Sequence, residues 1–91
     1  MEASAVKTCV EQTDRHLNEN YQILLKKFKE DAKLLKDMQL GWIKMRDAQC
    51  ELAGKHTGSQ AALVMSKCTV VLTQKRADEL EKIADALFFA W

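Results

Sequence analysis

Leu34-Leu35-Lys36-Asp37-Met38-Gln39-Leu40-Gly41-Trp42-Ile43-Lys44-Met45-Arg46-Asp47-Ala48-Gln49-Cys50-Glu51-Leu52 reads as one amphipathic helix. Leu34, Leu35, Met38, Trp42, Met45, Ala48 and Leu52 recur at helical spacing, which places them on one stripe of a helix with 3.6 residues per turn. Asp31 precedes the stripe as an N-cap or first-turn acid. Gly54 follows it as a stop, because glycine takes the left-handed C′ conformation without steric cost.

The same period extends to both sides. From about Ala3 to Lys29, the residues Val6, Val10, Thr13, Leu17, Tyr21, Leu24 and Phe28 form a second stripe, with Asp14, Arg15, Glu19, Lys26 and Lys27 mostly off it and solvated. Thr13 or Asp14 would serve as an internal cap if the first dozen residues were a frayed arm. Gly54-Lys55-His56-Thr57-Gly58 is the clearest loop, and Ser59 follows it as an N-cap. The third helix is predicted from about Ser59 to Phe89, with Ala62, Leu63, Ser66, Val70, Leu72 or Thr73, Ala77, Leu80, Ala84 and Leu87 as its stripe. Thr69 to Thr73 is rich in β-formers. Helix is preferred there, because five residues have no strand partner elsewhere in the chain. Gln74 to Ala86 is built from strong helix formers, with Asp78 and Glu79 placed to pair with Lys82. The expected fold is all-α: a small antiparallel bundle of about three long helices in a single domain covering residues 1–91.

Composition agrees and removes several functions. The chain has no Pro and only 3 Gly, which suits long helices and not a β-fold needing frequent turns. Its 14 Lys and Arg balance 13 Asp and Glu, so no nucleic-acid partner is expected. The longest apolar runs, Ala61 to Met65 and Ala86 to Trp91, fall far short of the ~20 residues of a membrane span, so no membrane insertion is expected. The apolar end from Leu87 to Trp91 reads as a cap on the bundle core, with self-association or contact with a further domain as alternatives. Met1-Glu2-Ala3-Ser4 has neither the basic start nor the apolar stretch of a leader. The chain is therefore cytosolic, or a mature segment without its leader.

No catalytic, cofactor or metal site emerges. There is no Cys-x-x-Cys pair of the zinc type and no phosphate-binding glycine loop. His16 lies beside Leu17 as a surface or boundary residue. His56 is near Cys50 in the chain, but no orienting third residue accompanies them. Glu30 and Asp31, and Glu79 and Glu81, sit among other charges and not in the setting that acid–base chemistry needs. The expectation is a non-enzyme with no cofactor.

The 3 Cys leave one thiol over after any internal pair. Spacing leaves two readings for Cys50 and Cys68. They are reduced core residues, or they are joined across a helical hairpin, closing a loop that restricts the unfolded chain by about 3 kcal/mol. A symmetric hairpin turning between Gly54 and Ser59 would bring Cys50 nearer Leu63. The link needs an asymmetric connection or a later start of the third helix.

Three stretches together resemble the LprI-type lysozyme-inhibitor domain family. They are Asp14-x-x-Leu17-Asn18-x-x-Tyr21; then Gln39-x-x-Trp42-Ile43-x-x-Arg46-Asp47-Ala48-x-Cys50; and Gly58-Ser59 followed by Cys68-x-x-x-x-Thr73-x-x-Arg76-x-x-x-Leu80. They run from roughly Cys9 to Leu80. The resemblance implies a secreted or periplasmic helical domain without catalytic activity. It implies a Cys50–Cys68 disulfide, and for Cys9 a partner further upstream that this chain lacks. Met45 stands where members often carry Tyr. The implied partner is lysozyme or another envelope protein.

Helical spacing gives the motifs a physical reading. Gln39, Trp42, Arg46 and Cys50 form one ridge, as do Asp14, Leu17, Asn18 and Tyr21, and Thr73, Arg76 and Leu80. If the ridges face one another, Arg46 pairs with a carboxylate or helix-end carbonyls and Trp42 packs centrally. Asp14, Asn18, Tyr21, Gln39, Trp42, Arg46, Asp47, Thr73 and Arg76 then form a structural network that fixes which helices meet. The competing reading is an exposed recognition patch anchored by Trp42 and Arg46. Lys55 and His56 in the loop are the candidate partner-binding residues. The expected function is an exported bacterial helical protein-binding domain that inhibits lysozyme-type muramidases. The alternative is a structural or scaffold module of the cell envelope. A net charge of +1 provides no long-range attraction to a cationic enzyme.

Overall fold

Helical periodicity is realised along almost the whole chain. The structure is a computed structural model that describes the backbone of residues 2–90 and the side chains of residues 10–85. Helix α1 spans Glu2–Lys27, α2 spans Ala32–Lys55 and α3 spans Ala61–Ala90. Short 3-10 turns at Lys29–Asp31 and Gly58–Gln60 join them. The β-rich Thr69 to Thr73 lies inside α3, where the Thr69 hydroxyl donates back to the Met65 carbonyl at 2.9 Å. The side chains of Val6 and Cys9, and of Leu87 to Trp91, lie outside the described residues.

The central helix is α3. Both α1 and α2 pack along it, and they touch one another little. Along α3, Thr73, Ala77, Leu80 and Ala84 are buried, and the small Ala77 and Ala84 let neighbouring helices come close. Residues Asn20 and His16 meet Ala77 and Gln74, so the two chain segments advance in the same direction and α1 runs parallel to α3. α2 runs antiparallel to both. Leu17, Leu24, Leu35, Ala77, Leu80 and Ala84 form the buried cluster, with Tyr21, Phe28, Met38 and Trp42 packed around it. Leu24 and Leu80 are fully enclosed, and burying each contributes about 1.5–3 kcal/mol. Thr13 sits within α1 and not at a helix start; its hydroxyl donates to the Val10 carbonyl at 3.0 Å.

The α2–α3 hairpin carries the Cys50–Cys68 disulfide, with α-carbons 5.5 Å apart. The puzzle of its register is solved by the turn. α2 continues through Gly54 to Lys55, and α3 begins only at Ala61. Ser59 is therefore the midpoint, nine residues from each cysteine. Two expected caps fall away with this shift. Ser59 lies within the 3-10 turn and does not cap α3. Gly54 is not the left-handed stop; among the described residues that conformation belongs to Gly58, with φ 59°. Gly54 is instead a buried helical residue pressed against α3. A Cβ there would run into the Met65 side chain and stand 3.0 Å from the Ala61 carbonyl oxygen. The Thr57 amide and hydroxyl close the end of α2 by donating to the Gly54 carbonyl at 3.0 and 2.7 Å. Asp31 does precede α2, but its side chain makes no capping bond.

The stripe expected of α2 is corrected most. Leu34, Met45 and Leu52 are 69%, 47% and 62% exposed, and Ala48 is exposed too. The inward row is Leu35, Gln39, Trp42, Arg46 and Cys50, of which Trp42 and Arg46 are half-buried. Bonding to Cys68 turns Cys50 toward α3. At about 100° per residue, Met45 then lies roughly 140° around the helix from it, and Leu34, Ala48 and Leu52 fall on the same outer side.

Candidate functional site

Arg46 is the node of the motif residues. Its position on the inward row of α2 brings it opposite Thr73 of α3 and near Asp14 of α1. Its Nε and one terminal nitrogen donate to Asp47 Oδ1 at 3.0 and 2.8 Å. The other terminal nitrogen donates to Thr73 Oγ1 at 3.4 Å and lies 3.9 Å from Asp14 Oδ1. One turn earlier, Trp42 receives two cations. The Arg46 guanidinium carbon is 5.3 Å from its ring centroid and that of Arg76 is 5.7 Å away. Each cation has its own carboxylate: Asp47 for Arg46, and Glu79, at 3.1 Å, for Arg76. The local pairing of Glu79 is thus backward to Arg76, while Asp78 accepts from Gln74 at 3.2 Å. Both partners are in place of the Lys82 contact expected from spacing. Two like charges share one aromatic ring because each is neutralised on its outer side, and the ring's electron-rich faces attract both.

Because α1 and α2 stand apart on α3, a groove of about 510 Å³ runs between them. Leu17, Tyr21, Leu40 and Ile43 supply its apolar lining, with Asp14, Asn18, Lys36 and Arg46 as its polar members. Gln39 also lines it. That side chain is 7% exposed, and its Oε1 accepts no hydrogen bond. A buried acceptor left unpaired costs about 1–3 kcal/mol, so this oxygen favours an incoming N–H donor. Of the motif residues, Asp14, Asn18, Tyr21, Gln39 and Arg46 therefore meet at the groove, while Trp42, Thr73 and Arg76 lie beneath or beside it and Asp47 faces solvent. Lys36 and Leu40 are groove residues that the motifs did not include, whereas Ile43 belongs to the middle motif.

Lys55 and His56 sit elsewhere, at the exposed α2–α3 turn. The disulfide, the Gly54–Met65 contact and the Thr57 bonds hold this turn from below. Asn20 is the interhelical residue that sequence reasoning passed over. Its Nδ2 donates to the Ala77 carbonyl at 2.8 Å, fixing α1 on α3. Its position on the row of Thr13, Leu17 and Leu24 is the signal that could have found it. Among the described residues no group of His, Cys, Asp and Glu is arranged to hold a metal ion, and no helix is long and apolar enough to cross a membrane.

Comparison with known proteins places these features in a family context. A family model described as lysozyme inhibitor LprI matches residues 2–80. An uncharacterised protein of Rhizobium meliloti (strain 1021) is 43% identical over 54 residues, a match covering 57% of this chain and 39% of that relative. No solved structure matches.

Proposed function

The chain belongs to the lysozyme inhibitor LprI family, and from that premise we propose that it is an exported helical domain that binds and inhibits a lysozyme-type muramidase. The family match carries this reading. The disulfide supports the extracytoplasmic part of it, because such bonds form and persist in oxidising compartments. For the contact itself we assign the α2–α3 turn. Glycosidases of this kind work with two carboxyl groups flanking the scissile bond. Lys55 brings a cation to such a cleft, and His56 brings a ring that can donate to a carboxylate. The turn is already ordered by the disulfide below it, so little conformational entropy is lost when it docks. With a net charge of +1, the attraction is local to the cleft and not long-ranged.

The test is hydrolysis of bacterial cell walls by lysozyme with this protein in molar excess. Inhibition is expected from the wild-type chain, and its loss from a Lys55→Glu, His56→Ala variant whose melting temperature is unchanged. Full lysozyme activity in the presence of the wild-type chain overturns the proposal and favours a structural or scaffold role in the envelope.

A further inference from the structure

The outer face of α2 has its own order. Gly41, Met45, Ala48 and Leu52 are spaced four, three and four residues apart, continuing three residues on from the half-buried Met38. This is the 3.5-residue repeat of a helix–helix seam. Gly41, Met45, Ala48 and Leu52 are exposed, so nothing among the described residues covers the row beyond Met38. Gly41 is the second observation. It lies mid-helix and exposed, where glycine costs about 1 kcal/mol relative to alanine. A Cβ built there meets nothing within 4 Å. The fold therefore gives no reason for a glycine at this position, whereas a second helix approaching closely would.

We propose that the occupant is a second copy of this chain, docked antiparallel through α2 about a two-fold axis. Large and small residues alternate along the row, and one antiparallel register matches them. It sets Met45 on the second copy's Ala48 and Leu52 on the second copy's Gly41, each contact made twice by symmetry. The same register places Lys44 beside the second copy's Glu51 on the flank. Both residues are exposed, and neither has an ion partner among the described residues. Shifting the axis so that Met45 meets Gly41 also pairs large with small, but it brings Lys44 against Lys44 and Asp37 against Glu51. Charge selects between the two. The seam is confined to four exposed residues and their flanking charges per copy, a small contact by the measure of specific interfaces, so the dimer forms weakly. Leu34 continues the row outside the overlap. This inference does not depend on lysozyme binding.

Sedimentation velocity from low micromolar to several hundred micromolar protein tests it, with Cys9→Ser in every chain so that a stray thiol cannot cross-link copies. The parent is expected to pass from monomer to dimer. Met45→Glu with Leu52→Glu should remain monomeric at every concentration, with helicity and low-concentration melting unchanged. Lys44→Glu should weaken dimerisation about tenfold, through two repulsive pairs made at once, and Glu51→Lys in the same chain should restore it. A parent that stays monomeric throughout overturns the proposal. So does a dimer indifferent to the Met45 and Leu52 changes. A dimer that loses affinity on Lys44→Glu without recovering in the double variant overturns the antiparallel register.

Discussion

Replacing Gly54 by alanine sets two effects of known sign against each other. Gly54 is an interior residue of α2, so helix propensity alone predicts stabilisation by about 1 kcal/mol. The packing predicts the opposite. The new methyl would run into the Met65 side chain and reach 3.0 Å from the Ala61 carbonyl oxygen. Met65 is 36% exposed and can swing away in part. Ala61 cannot, because its oxygen belongs to the first turn of α3, and the disulfide holds the two helices at this spacing. Overpacking of this kind costs about 1–3 kcal/mol. The backbone contact makes the upper half of that range the relevant one, leaving a net loss of about 1–2 kcal/mol, or roughly 4–16 °C in Tm for a domain of this size. Thermal unfolding followed by circular dichroism measures it. Met65→Ala in the same chain removes the side-chain part of the clash, so the double variant should melt higher than the sum of the single effects predicts. A Gly54→Ala protein melting above the wild type would show that α2 and α3 are not in close contact at this point, and would refute the packing assignment.

Two further perturbations address the cross-link and the cation node. Cys50→Ala with Cys68→Ala should lower stability by about 3 kcal/mol, the chain-entropy value for a loop of this length; denaturant unfolding that shows no loss would mean that the link does not restrain the unfolded chain. Arg46→Ala removes a stack on Trp42, a bond to Thr73 and two carboxylate contacts, for an expected loss of about 1–3 kcal/mol. Arg46→Lys should recover less than half of it, because an ammonium has one nitrogen with which to sit over the ring and bond both Asp47 and Thr73; full recovery in a melting experiment would reduce Arg46 to a point charge.

The three helices were readable because the period of 3.6 is carried by strongly apolar positions. Thr13, Leu17, Leu24, Thr73, Ala77, Leu80 and Ala84 stand on the expected stripes and are buried. α2 was harder because it has apolar residues on both sides. Leu34, Met45 and Leu52 make the more hydrophobic row, and a reading by hydropathy selects it. The row that packs contains Gln39 and Arg46, and it is selected by the cross-link at Cys50 and the small face of α3. Spacing groups Gln39, Trp42, Arg46 and Cys50 as one ridge, but that this ridge and not the more hydrophobic one faces α3 is a tertiary fact. The glycines show the same limit. Gly54 and Gly58 are equally good left-handed stops in sequence, and only the approach of Met65 and Ala61 decides that Gly54 stays helical. The motif residues around Arg46 were legible as three ridges through their spacing. The groove was not, since it exists only because α1 and α2 stand apart on α3.

That separation also relates the two readings of the motif. The α2–α3 side of the bundle is closed covalently and by the Gly54 contact. The α1–α2 side is bridged at the motif by Arg46 and Asp14 at 3.9 Å, with the Asp14 side chain 53% exposed. Exposed pairs of this kind contribute about 0–1 kcal/mol, whereas Arg46 is held firmly from the other direction by Asp47, Thr73 and Trp42. Widening the groove therefore strains the weakest contact of the node and leaves its stronger ones intact. The same guanidinium serves as a fixed post of the fold and as one rim of the groove. A structural network and a recognition surface are then not exclusive at Arg46. Asp14→Asn separates them: it loosens the rim while the Trp42 stack, and most of the stability that Arg46 confers, remain.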